Sequence, residues 1–427
     1  MKPYAEMTKE ELLSLRQDLK AQYHEFQAKD LKLDMSRGKP CVEQLDLSMG
    51  MMDVLSSTSD LTCEDGTDCR NYGVLTGIDE AKVLLADMME VNPSTIIIYG
   101  NSSLNVMYDT VSRAMTHGIM GCTPWCKLDK VKFLCPVPGY DRHFAITEYF
   151  GIEMINVPMS EDGPDMDMVE ELVASDDSIK GIWCVPLHSN PQGVCYSDRV
   201  VDRLASMETA APDFRIFWDN AYGVHHIYQE VPLKNILEAC EAGGHPNRAY
   251  YFFSTSKITF PGAGISLIAS GPDNMKEFKG HMSSQTIGHD KLNQLRHVQY
   301  FKTPENIRAH MAALAEVLRP KFDMVLNRLE EELEGSGLAV WSRPKGGYFI
   351  SLDTLAGCAK RTVQLAKEAG VTLTGAGATY PYKRDPQDRN IRIAPTYPTP
   401  EELKSAMDIF ILCVKIAGIE SVVNQGN

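Results

Sequence analysis

One lysine of this sequence stands where its side chain could do chemistry. Lys257 follows an apolar run and three small hydroxyl residues in the stretch YYFFSTSKITFP, residues 250–261. A lysine amine can form a Schiff base with an aldehyde once its surroundings lower its pKa. The hydroxyls and backbone amides beside Lys257 would suit an aldehyde cofactor that carries a phosphate. Taken alone, the stretch also fits a solvated lysine in a loop, so the rest of the chain must decide.

The segments on either side of this lysine read as an α/β domain. Seven short apolar runs alternate, for the most part, with helix-like segments: Ile96–Tyr99, Val131–Cys135, Glu153–Val157, Gly181–Pro186, Arg215–Trp218, Ala249–Phe253 and Gly264–Ile268. Continuous apolar strands between helices are typical of a mostly parallel sheet that is covered on both faces. We therefore predict a large domain with a mostly parallel seven-stranded sheet sandwiched by helices.

Polar and glycine-rich residues directly follow five of these runs. The loops are Gly100–Ser103, Pro138–Tyr140, Ser189–Gly193, Asp219–Tyr222 and the turn that carries Lys257. In open α/β sheets, ligands bind beyond the carboxyl ends of the strands. We therefore expect the five loops to meet at one edge of the sheet and to form a site there.

The two ends of the chain read as a second, smaller α+β domain. Thr8 and Glu11 form a capping-box pattern ahead of a helical repeat, and a loop around Gly38 follows. Beyond it we predict a long helix over 306–333, strands around Gly346 and Gly347, a helix over 359–368, a strand in NIRIAP, and a last helix capped by Thr399, Pro400 and Glu402. The predicted division is 1–50 (N-terminal helix and part of the small domain), 51–310 (large cofactor-binding domain) and 311–427 (C-terminal small domain).

The composition argues against several classes of protein. The chain has 427 residues, of which 44% are hydrophobic, as expected of a globular protein with about two to three domains. Its formal net charge of -15 disfavours nucleic-acid binding. The eleven cysteines are scattered without metal-binding spacing, so we expect reduced thiols and no metal. No stretch resembles a signal peptide or a membrane span, which predicts a cytoplasmic protein with no membrane partner.

Three motifs in a fixed order resemble those of a known family. They are N-P-x-G at 190–193, D-x-x-Y at 219–222 and S-x-S-K at 254–257, and the set is similar to the fold-type I pyridoxal-phosphate aminotransferases. The wider segments RNYGVLTGIDEAK, IYGNSSL, SNPQGV, FWDNAYGVHH and FSTSKITFPGAG look most like the MocR-like aspartate aminotransferase subgroup. The resemblance covers nearly the whole chain. It implies a homodimer with active sites at the interface, which transfers the amino group of L-aspartate to 2-oxoglutarate by a ping-pong mechanism.

The resemblance assigns catalytic roles to residues of these motifs. Lys257 would anchor the cofactor and move the proton between the substrate Cα and the cofactor. Asp219 would keep the pyridine nitrogen protonated, and Asn190 and Tyr222 would hydrogen-bond the phenolate oxygen of the ring. Tyr140 falls where the family places an aromatic side chain that stacks on the ring. Without the resemblance, the same residues also fit a helix cap, a turn before proline and core tyrosines.

The resemblance also implies a phosphate site near the end of the first strand. Its candidates are Asn101, Ser102, Ser103, Ser254 and Ser256, helped by the backbone amides that open the helix after Gly100. Tyr72 matches a tyrosine that the family supplies from the partner subunit. One position departs from the pattern, because the family commonly has Lys or Arg eight residues after the Schiff-base lysine and this chain has Ile265.

Arginines are the candidates for binding the carboxylates of the substrate. Arg392 in NIRIAP matches the arginine that grips the α-carboxylate, a task that suits its planar bidentate fork. Asn190 and the backbone at Gly38 are expected beside it. Arg142 is the first candidate for the distal carboxylate. Its rivals are Arg37 and Lys39, and any of these three could instead be a surface charge.

Other functions remain open on the sequence alone. A transaminase for aromatic or neutral amino acids, or a β-eliminating lyase, would share the cofactor motifs. A catalytically silent effector-binding module is a third reading, although no basic helix-turn-helix segment precedes residue 30. A nicotinamide enzyme would need a G-x-G-x-x-G turn after the first strand, and Gly100 is instead followed by Asn-Ser-Ser.

Overall fold

The computed structural model describes residues 3–425. Its helices are α1 Lys9–Gln27, α2 Val42–Asp46, α3 Asp79–Met89, α4 Ser103–His117, α5 Asp141–Tyr149, α6 Met166–Ser175, α7 Asp198–Ser206, α8 Ile236–Ala242, α9 Pro272–Gln285, α10 Lys291–Phe301, α11 Pro304–Leu333, α12 Ala359–Glu368 and α13 Pro400–Gln425. Its strands are β1 Leu33–Asp34, β2 Ile96–Ile98, β3 Lys132–Val137, β4 Glu153–Ser160, β5 Gly163–Pro164, β6 Ile179–Cys184, β7 Arg215–Asp219, β8 Ala249–Ser254, β9 Ser266–Ser270, β10 Ala339–Trp341, β11 Ile350–Thr354, β12 Val371–Thr372 and β13 Asn390–Ile393. Single 3-10 turns span Tyr4–Glu6, Met49–Met52, Pro93–Thr95, Trp125–Lys127 and Pro381–Lys383.

The large sheet contains all seven predicted runs, in the order β2-β9-β8-β7-β6-β3-β4-β5. Neighbouring strands from β8 through β7, β6 and β3 to β4 run parallel, whereas β9 is antiparallel to both β8 and β2. The mostly parallel α/β sheet is therefore confirmed. An eighth strand, the two-residue β5, forms a hairpin with β4 and was not predicted. It is too short to show an apolar run of its own.

Helices cover both faces of this sheet. Successive residues of a strand point to opposite faces, and Tyr251 and Phe253 of β8 pack into one apolar cluster while Tyr250 and Phe252 pack into another. The first cluster includes side chains of α3, α6, α7, α8 and α10, and the second includes side chains of α4, α5 and α9. Burial on both faces explains why these strands read as continuous apolar runs rather than as alternating ones.

The remaining elements form a third apolar cluster, which contains residues near both ends of the chain. The three-stranded antiparallel sheet β10-β11-β13 and the parallel pair β1-β12 pack with α1, α12 and α13. The predicted helix caps are present: Thr8 and Glu11 form the capping box before α1, and Thr399 and Glu402 exchange hydrogen bonds at the start of α13. The predicted boundary at 310/311 falls inside α11, which contributes to the first and third clusters. The division into three segments remains a proposal.

Two further observations concern membranes and thiols. Over residues 3–425, no helix combines the length and the apolar character needed to span a bilayer. All eleven cysteines are free thiols, and the buried side chains of Cys63 and Cys69 have their sulfur atoms 3.3 Å apart.

Candidate active site

The predicted convergence of the strand-end loops is visible in side-chain contacts. Ser256, after β8, donates to the backbone oxygen of Asn101, after β2, over 2.9 Å. His143, at the start of α5 after β3, lies 2.8 Å from Asp219 at the end of β7. Parallel neighbours place their carboxyl ends at one edge, and β2 joins them there through β9. The five loops therefore surround one site.

Lys257 lies in the turn after β8, between two tyrosine rings. Its Nζ is 4.9 Å from the ring centroid of Tyr222 and 6.0 Å from that of Tyr348. Burial lowers the pKa of the Lys257 amine, and the negative charge of Asp219 opposes that shift. The backbone oxygen of Lys257 accepts from His225 Nε2 at 3.3 Å and from the Tyr348 hydroxyl at 3.5 Å. The lysine therefore has a fixed backbone and an amine that loses its proton more readily than a solvated one.

One carboxylate oxygen of Asp219 is hydrogen-bonded, and the other has no hydrogen-bond partner among the described residues. Oδ2 accepts from His143 Nε2, and both side chains are almost fully buried. The His143 ring in turn stacks on Trp183 at 4.4 Å with an interplanar angle of 11°, and it meets Tyr140 edge-on at 4.9 Å. Among the described residues nothing donates to Oδ1, although this atom is buried. A buried carboxylate oxygen with no donor is a site for an incoming N–H group.

The predicted phosphate residues surround the start of α4. Ser102 is the N-cap residue and Ser103 the first helical residue, so their neighbouring backbone amides are free to bind an anion. Ser254 ends β8, and Ser256 is tied to the backbone of Asn101. The structure thus brings the five predicted donors together at one end of the site.

The side chain of Ile265 does not contribute to the predicted phosphate site. It is buried in the apolar cluster of the large sheet, and its backbone pairs with Thr255 in both directions. A charged side chain would have to be desolvated at this position. The local packing therefore explains an isoleucine, but it supplies no cation for a phosphate.

Arg392 is held by several side chains on the other side of the site. Its Nη1 donates to Asn190 Oδ1 at 3.2 Å, and its Nη2 to Thr374 Oγ1 at 3.3 Å. The guanidinium carbon lies 4.8 Å from the ring centroid of Phe349. A third contact was not predicted: Nη1 also donates to Asp141 Oδ1 at 2.8 Å. Arg392 is nearly buried, and its Nε has no partner within the described chain.

Gly38 packs against the aromatic ring that lies beneath the Arg392 guanidinium. A Cβ atom at position 38 would lie 2.5 Å from Cζ of Phe349, which is the ring beneath the Arg392 guanidinium. The adjacent Ser36 accepts a hydrogen bond from Thr374, which is also a partner of Arg392. The glycine loop therefore lies beside the arginine, as predicted, but the structure shows Gly38 packing on Phe349.

Four predicted residues stay at the surface. Tyr72 is 82% exposed, and Arg37, Lys39 and Arg142 are exposed as well. Lys39 lies over the ring of Tyr397 at 5.0 Å. The side chains of Arg37 and Arg142 make no hydrogen bond or ion pair with any residue from 3 to 425. A single chain does not bring these residues into contact with the buried set.

The sequence reasoning missed the residues that support the predicted ones. His143 could have been found, because it follows Tyr140 by three positions at the start of a helix and so shares its face. Tyr348 and Phe349 follow the recognised Gly346-Gly347 turn but carried no chemical signal. Asp141 had none either, because its partner Arg392 is 251 residues away in the chain.

The arrangement fits a pyridoxal phosphate better than a metal ion. The orphaned Oδ1 of Asp219 could accept from a protonated pyridine nitrogen, while Lys257 offers an amine of lowered pKa to an aldehyde. Free amides at the start of α4 suit a phosphate. In the described part of the chain, no cluster of three or more His, Cys, Asp or Glu side chains could hold a metal.

Comparison with known proteins places the chain in a family. The family model described as aspartate amino-transferase matches residues 7–426. The chain is 48% identical to an aspartate aminotransferase of Corynebacterium glutamicum over 96% of its own length and 94% of the relative. It is 47% identical to a protein of Mycolicibacterium smegmatis named as an aminotransferase, over 99% of each. A solved aspartate transaminase from Corynebacterium glutamicum superposes with a TM-score of 0.95 at 47% identity, covering 98% of this chain and 99% of that one. The chain belongs to the aspartate amino-transferase family and is an aminotransferase.

Proposed function

We propose that this aminotransferase uses pyridoxal phosphate to move the amino group of L-aspartate to 2-oxoglutarate, which gives oxaloacetate and L-glutamate. The observation that carries the proposal is the burial of two groups of functional side chains. Lys257 and Asp219 form the group on one side of the site, and the hydrogen-bonded guanidinium of Arg392 is on the other side. The relative named aspartate aminotransferase, at 48% identity, supports the choice of substrate.

Lys257 is the proposed anchor and base. Burial lowers the pKa of its amine, which favours the neutral form that a base requires, and the amine would take the proton from the substrate Cα and return it to the cofactor side. Pyridoxal phosphate, when bound, supplies the electron sink for the pair left by the broken Cα–H bond. The same amine would release the cofactor in the first half of a ping-pong cycle and would bind it again at the end of the second half.

Asp219 and its neighbours are proposed to hold the charge state of the cofactor ring. Oδ1 of Asp219 would accept from the pyridine N–H, while His143 fixes Oδ2 and so fixes the direction of Oδ1. Asn190 and Tyr222 would donate to the phenolate oxygen from the two sides of the site. Tyr140, edge-on to His143, is the proposed stacking ring.

The phosphate is proposed to bind at the start of α4, with help from a second copy of the chain. Asn101, Ser102, Ser103, Ser254 and Ser256 would donate from one protomer, and Tyr72 would reach the site from its partner. The exposed Tyr72 belongs to a wider apolar surface around α10, where Lys291 bonds the backbone of Gly73 and Tyr300 bonds that of Leu47. This surface includes the exposed side chains of Leu47, Met49, Met52, Tyr72, Ile287 and Leu292. A homodimer would cover it.

The two carboxylates of the substrate are assigned to different cations. Arg392 would bind the α-carboxylate with its fork, because its position is fixed by neutral groups on two sides. Arg142, exposed and without a bonded partner among the described residues, remains the first candidate for the distal carboxylate. Arg37 and Lys39 remain its rivals, since the loop that carries them borders Arg392 through Gly38 and Phe349. A cytoplasmic location also remains a prediction.

The proposal is tested by the specificity of the purified enzyme. With 2-oxoglutarate as acceptor, kcat/KM should be highest for L-aspartate among L-aspartate, L-alanine and L-phenylalanine, by about 100-fold or more, because only the dicarboxylate uses a second charged contact. A higher kcat/KM for L-alanine or L-phenylalanine would move the enzyme to the neutral or aromatic class. Release of pyruvate and ammonia from L-serine or L-cysteine, which carry a leaving group on Cβ, without an oxo-acid acceptor would instead indicate a β-eliminating lyase.

A further inference from the structure

An aspartate of the protein already lies on the guanidinium that is proposed to grip the substrate. Asp141 is the first residue of α5, and its Oδ1 accepts from Arg392 Nη1 at 2.8 Å. The Asp141 side chain is 32% exposed, whereas that of Arg392 is 6% exposed. A carboxylate that accepts from this Nη1 makes the kind of contact that a substrate α-carboxylate would make.

Arg392 does not depend on Asp141 for its position. Asn190 and Thr374 each accept a hydrogen bond from the guanidinium, and the ring of Phe349 lies 4.8 Å from its carbon. These three supports are neutral. Asp141 is the charged partner, and its side chain is partly exposed. Asp141 therefore adds a negative charge to the site, while the neutral groups orient Arg392.

That charge opposes the binding of the substrate. Two carboxylates that share one cation repel each other, so an incoming α-carboxylate must either displace Asp141 or tolerate it. Displacement is possible because Asp141 already reaches water, and at the first position of α5 its charge is also favoured by the helix dipole. We propose that Asp141 is a built-in competitor that occupies the α-carboxylate clamp of the free enzyme and weakens the binding of both amino-acid and oxo-acid substrates. The inference rests on the proposed role of Arg392.

The substitution Asp141→Asn isolates the charge, because an amide oxygen still accepts from Arg392. We expect KM for L-aspartate and KM for 2-oxoglutarate each to fall about tenfold, a change of about 1.4 kcal/mol in binding. kcat should stay within about twofold, because Asp141 is not assigned to the chemical step. Asp141→Glu should keep KM closer to that of the wild type, since it keeps the charge. An unchanged or raised KM in Asp141→Asn would overturn the proposal.

A matched control separates this effect from loss of a helix-start charge. Asp198 is the first residue of α7, as Asp141 is of α5, and it has no contact with the site. Asp198→Asn should leave both KM values unchanged, and its thermal unfolding temperature reports the cost of losing an acidic residue at that position. A fall in KM of the same size in Asp198→Asn would also overturn the proposal.

Propionate, a monocarboxylate with no amino group, separates failure of this inference from failure of the proposed function. Its affinity for the holoenzyme is measured by calorimetry, without turnover. We expect Asp141→Asn to bind propionate about tenfold more tightly and Arg392→Lys to bind it more weakly. If Arg392→Lys weakens binding and Asp141→Asn does not strengthen it, only the role of Asp141 fails. If neither variant changes the affinity, Arg392 is not the carboxylate clamp and both ideas fail.

Discussion

The proposed site has a buried half and an exposed half, and they differ in how completely one chain defines them. Lys257, Asp219 and Asn190 lie at strand ends, with their backbones or side chains held by contacts within the protomer. Tyr72 and Arg142 lie at the surface, where no described side chain orients them. The buried half is therefore set by the fold of a single chain. Under the proposed function, a substrate or a second subunit would give the exposed half its geometry.

This difference predicts two kinds of mutational behaviour. Changes in the buried half should reduce the chemical step for every substrate, because the cofactor chemistry is common to all of them. Changes in the exposed half should alter the choice of substrate or the retention of the cofactor while sparing the chemical step. Equal effects in the two halves would contradict this difference.

The largest of these effects is expected at Asp219. In Asp219→Asn the pyridine nitrogen would lose its anionic partner, so kcat should fall about 10³-fold for all amino acids alike. The matched control is Asp213→Asn, a buried aspartate whose oxygens pair with Lys180 and Trp125 away from the site. That control should lose stability but keep its kcat within about threefold per folded molecule. Equal losses of kcat in the two variants would contradict a specific role for Asp219.

The next effect concerns the distal carboxylate. Arg142→Ala should lower kcat/KM for L-aspartate about 100-fold, because a charged hydrogen-bonded contact is lost, and should leave kcat/KM for L-alanine nearly unchanged. Arg37→Ala and Lys39→Ala, measured in the same assay, are the comparison variants. If one of these two shows the selective loss and Arg142→Ala does not, the distal clamp lies in the loop around Gly38.

A smaller effect is expected at Tyr72. Tyr72→Phe removes one hydroxyl that we assign to the phosphate of the partner subunit, so the dissociation constant of pyridoxal phosphate should rise about tenfold. Tyr149→Phe, at another strongly exposed tyrosine, is the control. Cofactor retention should also fall on dilution, as dimers separate. Retention that is independent of both the hydroxyl and the protein concentration would place Tyr72 outside the site.

The smallest effect per residue concerns stability at acid pH. Burial lowers the pKa of His297 to about 4, so the unfolded chain binds a proton below pH 6.5 that the folded chain does not bind. The stability contributed by the neutral form is present above pH 6.5 and is lost as the pH falls toward 4. Its slope is up to about 1.4 kcal/mol per pH unit.

His297→Gln measures that slope directly. Between pH 6 and 5, the free energy of unfolding of the variant should fall less steeply than that of the wild type, while the two slopes should agree between pH 7.5 and 8.5. His188 and His225, whose pKa values burial lowers to about 3, would keep the rest of the acid sensitivity. Identical slopes at acid pH would show that His297 does not carry this linkage.

The buried half was predictable because its residues follow apolar runs. Asp219 ends β7 and Lys257 follows β8, so a rule about strand ends was enough to place them at one edge before any coordinates. The helix bounds also agreed where capping residues mark them, as at Thr8 and Thr399. Local sequence patterns were therefore sufficient to predict the placement of these site residues and the starts of these helices.

The contacts across the site were not predictable in the same way. Asp141 meets Arg392 across 251 residues, and Phe349 lies beneath that arginine only because β11 and β13 pair. These contacts arise when the small sheet docks against the start of α5, and no local period or motif encodes that event. The short strand β5 was missed for a related reason, since two residues contain no pattern to read.

The most direct test of the account is the absorbance spectrum of the purified protein with pyridoxal phosphate, for the wild type and Lys257→Ala, before and after addition of L-aspartate. We predict a visible band that requires Lys257, disappears with L-aspartate as oxaloacetate forms, and returns with 2-oxoglutarate. Lys276→Ala, at an exposed lysine on α9, should behave as the wild type. A wild type that stays colourless with the cofactor, or a band that persists unchanged in Lys257→Ala, would contradict the central assignment.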